Sequence, residues 1–70
     1  MEEKFGDLIK RLRIEKGYSI KDFAEKTGFS KVQIKNIEQN KNKPRVFNLN
    51  KLAYVLGCDY EYLYNKLNKK

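Results

Sequence analysis

Residues 18–45, YSIKDFAEKTGFSKVQIKNIEQNKNKPR, carry the reading on which the fold turns. A short amphipathic run closes at Thr27, Gly28 can turn the chain without a Cβ penalty, and Ser30 can cap a second run ending at Glu38. The stretch predicts two short helices with a sharp corner between them, then a basic loop. Ile34 and Ile37, spaced i, i+3, are the inward contacts of the second helix, and Phe29 can staple onto that face. Helical geometry leaves Lys31, Val32, Lys35, Asn36 and Gln39 on the outer side, with Gln33 on the flank. That face carries donors, acceptors and one methyl-rich side chain, and no acid.

Upstream, residues 2–16 predict a helix in which Phe5, Leu8, Ile9 and Leu12 form an apolar stripe. Glu2 and Glu3 at its start and Lys16 at its end suit the helix dipole, and Gly17 stops it. Ser19 then caps a helix running to about Lys26, with Asp22 in its first turn, Phe23 pointing inward and the small Ala24 allowing close approach. Downstream, Asn40 to Arg45 reads as loop, because Asn tolerates left-handed backbone and Pro44 cannot continue a helix. A fourth helix follows from Val46 or Phe47 to Leu56, with Leu49, Leu52, Ala53 and Leu56 as its stripe and Gly57 as its stop. Asp59 is placed to cap a fifth, in which Tyr60, Leu63, Tyr64 and Leu67 share a face; the tail Asn68–Lys70 is expected to fray. Residues 1–70 are thus expected to form one all-α domain of five helices, the tight two-helix motif covering about 19–38.

Composition narrows the chemistry. Seventy residues lie near the lower limit for folding without a staple. A single cysteine, Cys58, cannot bridge internally, and without histidine no zinc cluster is expected. No cofactor, metal or small-molecule ligand is implied. The same poverty leaves no constellation for nucleophilic, acid–base or metal catalysis, so the chain is not expected to be an enzyme. Neither a signal peptide nor an apolar run of spanning length is visible; the expected compartment is the cytoplasm, with no membrane partner. The 16 basic and 9 acidic residues give a net charge of +7, which points to a polyanion, although lysine also serves as a plain surface solubiliser. Location discriminates better than the total: between Lys31 and Arg45 five bases (Lys31, Lys35, Lys41, Lys43, Arg45) face one acid, Glu38. The aromatics are not interleaved with bases on one platform, as single-strand RNA readers require.

Two helices joined by so tight a glycine turn suggest a helix-turn-helix. Here a wider resemblance becomes specific. Arg13, Gly17, Phe23-Ala24, Gly28, Ser30, Ile34, Ile37-Glu38, Pro44, Ala53, Leu56-Gly57 and Leu63, at fixed spacing over about residues 5 to 66, resemble the DNA-binding domain of phage lambda-type repressors, Cro proteins and the Xre regulators. The resemblance implies a compact five-helix domain that binds double-stranded DNA, acting as a repressor or related switch protein. It puts Lys31, Val32 and Asn36 at base-reading positions, with Gln33 and Lys35 beside them. Lys could pair guanine, Asn adenine, and Val32 could pack on a thymine methyl. It directs the N-termini capped by Ser19 and Ser30 toward phosphates, with Asn40, Lys41, Lys43 and Arg45 gripping the other flank. Capping alone is also a sufficient role for the two serines.

The resemblance further implies an ion pair between Arg13 and Glu38 that sets the angle of the reading helix. One departure stands out: relatives mostly carry glutamine where this chain has Ile20, so the usual phosphate contact and brace are missing, and either affinity is lower or the load moves to Lys21 and the loop. Thr27, where an apolar residue is common, is a milder departure. Cys58 occupies a position of small apolar residues and is expected to be a buried core thiol. Relatives commonly dimerise through the C-terminal end, which makes Tyr54 and Tyr62 interface candidates for a homodimer on a palindromic operator. An alternative on the same fold is a protein-interaction module, such as an antitoxin or transcription adaptor, whose tyrosines would be the primary surface.

Overall fold

The computed structural model describes residues 3–68, which fold into α1 (Phe5–Glu15), α2 (Ile20–Thr27), α3 (Lys31–Glu38), α4 (Val46–Leu56) and α5 (Tyr60–Asn68). The class is all-α, with the helices wrapped round one apolar centre. Phe5, Leu8 and Ile9 of α1 meet Phe23 and Ala24 of α2, Ile34 and Ile37 of α3, Leu49, Leu52, Ala53 and Leu56 of α4, and Leu63 of α5, with Phe29 closing the corner. These are the positions the 3.6-residue stripes selected, because each helix has only one side to bury.

Both corner helices are capped by their own serines. The Ser19 hydroxyl accepts from the Asp22 amide and the Ser30 hydroxyl from the Gln33 amide, each at 3.0 Å, so each satisfies one amide that the first turn leaves without an intrahelical partner. Gly28 ends α2 with φ +81°, a left-handed conformation in which a Cβ is strained, and its amide donates to Ala24 at 2.8 Å. Thr27 is buried beside it. Its hydroxyl donates to the Phe23 carbonyl at 2.8 Å and accepts from the Phe29 amide at 3.3 Å, so the polar residue stitches the corner that an apolar one could only fill.

Several expectations are corrected. The first helix begins at Phe5, with Lys4 extended as its N-cap, so Glu3 precedes the helix and the acid of its first turn is Asp7; Glu2 lies outside the described residues. Glu3 instead accepts from Arg11 at 2.9 and 3.1 Å, and that hydrogen-bonded guanidinium lowers the Glu3 carboxyl from its ordinary value. Leu12 is only half-buried, since the adjoining Arg13 takes the inward position. Cys58 is half-buried too: the turn at Gly57, φ +70°, leads the chain off the core before the thiol is enclosed. Burial still pushes its thiol up, with Asp59 adding to the shift. On α5 only Leu63 is fully enclosed. Tyr64 is exposed and stacks on half-buried Tyr60 at 5.8 Å, since the last helix packs along one narrow line. Asn68 belongs to α5, and the rest of the expected frayed tail lies outside the described residues.

Candidate nucleic-acid interface

The exposed side of α3 follows from what the helix buries. Ile34, Ile37 and Glu38 face inward, which turns Lys31, Val32 and Lys35 fully outward and leaves Gln33 and Asn36 half-exposed beside them. Val32 is 66% exposed, an apolar side chain left in solvent within a polar face. The only acid of the helix is Glu38, and its charge is internally matched. Arg13 Nε donates to Glu38 Oε2 at 2.7 Å and Nη2 to Oε1 at 3.3 Å, both side chains being buried. The Arg13 Nη1 also donates to the Tyr18 carbonyl at 2.7 Å, so one guanidinium ties α1 to α3 and to the lead-in of α2. The outward field of α3 is therefore set by its lysines.

Two neighbouring stretches extend this face. Ser19 and Lys21 at the start of α2 are exposed, as is Ser30 at the start of α3. With their hydroxyls occupied as caps, the remaining first-turn amides point outward along the helix axes, the arrangement that receives an anion. Beyond α3, Lys41, Lys43 and Arg45 are all exposed on the loop to α4. Asn40 is different: its φ is +62° and its side-chain Oδ1 accepts from the Gly6 amide at 2.8 Å. Ile20 is half-buried and lines a shallow cleft with Lys10, Arg13, Lys35, Glu38 and Gln39. An aliphatic side chain thus lines the cleft where α1, the start of α2 and α3 meet.

Further residues that sequence reasoning did not single out lie beside the loop. Lys4 and Lys66 line one cleft with Glu3, Asn40, Asn42 and Lys43, placing bases and one acid from both ends of the chain against the α3–α4 loop. No local pattern reveals this, because the residues meet only through tertiary packing. Tyr54 and Tyr62 stand on different helices and are 88% and 50% exposed. Tyr54 shares a groove between α2 and α4 with Lys26, Thr27, Phe47, Asn50, Lys51 and Val55. Phe47 is itself 70% exposed under the Lys51 ammonium, 5.3 Å from the ring centre. Among the described residues no group of three His, Cys, Asp or Glu side chains could hold a metal ion, and no helix is long and apolar enough to cross a membrane.

A two-helix corner, an acid-free outer face on its second helix and a basic loop define a helix-turn-helix protein of the Xre and lambda repressor-like type. The helix-turn-helix family model HTH_3 matches residues 9–63, and the chain belongs to that family. It is 39% identical over 62 residues to the HTH-type transcriptional regulator SinR of Bacillus licheniformis, an alignment covering 87% of this chain and 56% of that protein. It is 42% identical over 59 residues to SinR of Bacillus subtilis (strain 168), covering 83% and 53%. The chain therefore spans just over half the length of these relatives. Among solved structures it is similar to SinR in complex with DNA (TM-score 0.79, 38% identity, 86% of this chain and 97% of that one). The N-terminal DNA-binding domain of SinR from Bacillus subtilis also matches (TM-score 0.80, 35% identity, 93% and 96%).

Proposed function

We propose that this chain binds double-stranded DNA sequence-specifically and regulates transcription, with α3 as the element that enters the major groove. The observation that carries the reading is the two-sided character of α3: its acid is buried and paired, while Lys31, Val32 and Lys35, flanked by Gln33 and Asn36, form its outer face. Lysine and asparagine offer bidentate partners to guanine and adenine edges, and Val32 offers a surface for a thymine methyl. Ser19, Lys21, Ser30, Lys41, Lys43 and Arg45 hold the phosphate backbone on either side. Similarity to SinR, whose structure in complex with DNA is known, supports the DNA-binding reading. Repression from the cytoplasm, without catalytic activity, is the form of regulation we assign.

The operator is palindromic in this reading and is bound by two copies. Support comes from α4, where Val46, Phe47 and Tyr54 leave apolar surface in solvent, with Tyr62 adding more on α5. The same surface supports the second reading, a protein-interaction module whose primary partner is another protein. Selection from random-sequence DNA followed by footprinting tests the first reading. A palindromic consensus is expected, with both half-sites protected and their centres about one helical turn apart. Recovery of no consensus would overturn sequence-specific reading, and a protected single half-site would overturn the dimer.

A further inference from the structure

α1 begins without a local cap. Lys4 occupies its N-cap position in extended conformation and makes no capping bond from its side chain. An N-cap side chain ordinarily accepts from the second or third helical amide. Here the second helical amide, that of Gly6, donates instead to Asn40 Oδ1 at 2.8 Å, from the far end of the reading helix. Asn40 thus acts as the cap of a helix to which it does not belong.

The rest of the junction is built around this bond. A Cβ on Gly6 would fall 2.4 Å from the Ile37 carbonyl oxygen, 2.6 Å from that of Glu38 and 2.8 Å from Asn40 Oδ1. Only glycine lets the start of α1 press onto the end of α3. The approach is electrostatically favourable, because the partly positive amide end of one helix meets the partly negative carbonyl end of the other. Asn40 itself is the one described non-glycine residue with positive φ, and its amide donates to Ile37 at 3.1 Å while the next, that of Lys41, donates to Asn36 at 2.9 Å. This is a left-handed helix stop. Glycine there would supply the turn alone; asparagine supplies the turn and the remote cap together.

Resting on the DNA-binding reading, we propose that Asn40 is a positioning residue: it locks the basic loop 41–45 to α1 through Gly6 and so presents Lys41 and Lys43 to the phosphate backbone. With Arg13–Glu38, the Gly6–Asn40 bond makes α1 a two-point clamp on the end of α3, one point setting the helix and the other setting the loop that leaves it.

The test is Asn40→Gly, which keeps the left-handed turn and removes the cap, measured as DNA affinity against salt concentration. The proposal expects weaker binding with a slope of log affinity on log salt that is shallower by about 0.9 for each phosphate no longer neutralised. It also expects faster hydrogen exchange at the Gly6 amide. A direct contact from Asn40 to DNA involves no charge, so weaker binding with an unchanged slope overturns the proposal, as does unchanged affinity. Gly6→Ala approaches the junction from the other side, on a residue outside every DNA-contact assignment. Checked for native helicity at low temperature, it too is expected to bind with a shallower slope; if it is folded and binds as the unaltered chain does, the clamp is overturned, and if it does not fold, Asn40→Gly alone decides. Absence of salt-dependent binding by the unaltered chain overturns the DNA reading itself and the positioning role with it, a result distinct from a failure in the variants alone.

Discussion

Arg13 and Glu38 meet through two hydrogen bonds, of 2.7 and 3.3 Å, inside the domain rather than at its surface. A buried pair adds little net stability, because desolvation offsets most of its attraction, but removing one partner strands the other charge. Arg13→Ala is therefore expected to cost roughly 3 to 5 kcal/mol in urea unfolding, most of what so small a domain has. Arg13→Lys keeps the charge without the fork that serves Glu38 and Tyr18 together. It should fold and yet bind operator more weakly; equal affinity at equal helicity would remove the pair from the control of α3.

Variants of Asn36 and Lys43 test the proposed division between reading bases and gripping phosphates. Asn36→Ala should narrow the gap between operator and random DNA by about 1 to 3 kcal/mol, the worth of a bidentate base contact. Lys43→Ala should weaken both DNAs alike and lower the salt slope by about 0.9. Competition binding at several salt concentrations distinguishes the two; equal losses on both DNAs from both variants would falsify the assignment of α3 as the reading helix.

Ile20 lines the cleft that also holds Lys35, at the position where the family resemblance implies glutamine. Ile20→Gln should move affinity and stability in opposite directions. A new hydrogen bond to the charged backbone phosphate is worth about 1.5 to 3 kcal/mol in binding. Exchanging a half-buried aliphatic side chain for a polar one should cost about 1 kcal/mol in unfolding. Titration with operator and thermal melting of the same sample read both signs.

Thr27 holds the corner with its hydroxyl, accepting from the Phe29 amide. Thr27→Val preserves the shape and strands that buried amide, so it should cost about 1 to 2 kcal/mol despite adding an apolar group. A gain in melting temperature would mean that filling outweighs bonding there.

Cys58 titrates above an ordinary thiol because it is partly desolvated and lies beside Asp59. A folded-state value raised above the unfolded one contributes stability that is complete below the unfolded value and is lost as pH rises through the folded one. Alkylation by iodoacetamide should accordingly be slower in the native chain than in urea at the same mildly alkaline pH, and its pH midpoint should fall on unfolding. A native rate equal to the unfolded one contradicts the shift.

What could be read from the chain alone follows a physical division. Helix α3 was legible to its ends because Ser30 starts it and two isoleucines set its inner face, both local signals. The core positions Phe23, Ala24, Leu49, Leu52, Ala53 and Leu56 were legible for the same reason. Gly6 was not: inside a helix a glycine reads only as a propensity cost, and its reason is a carbonyl two helices away. Asn40 read as a loop residue near DNA, since its bond to Gly6 spans 34 residues. The start of α1 was misplaced because two acids look like a first turn when the partner that draws Glu3 aside, Arg11, has no marked role in sequence.

Helix α3, the proposed reading helix, is eight residues long. At 1.5 Å per residue it measures about 12 Å, so with base pairs spaced by about 3.4 Å its exposed face can survey roughly four of them. Four letters recur by chance about once in every 256 positions, too often to name one address in a genome, where competing sites number about 10⁶ or more. In the proposed reading, a vocabulary this short turns pairing from an accessory into an informational requirement, because a second copy at a set distance squares the odds.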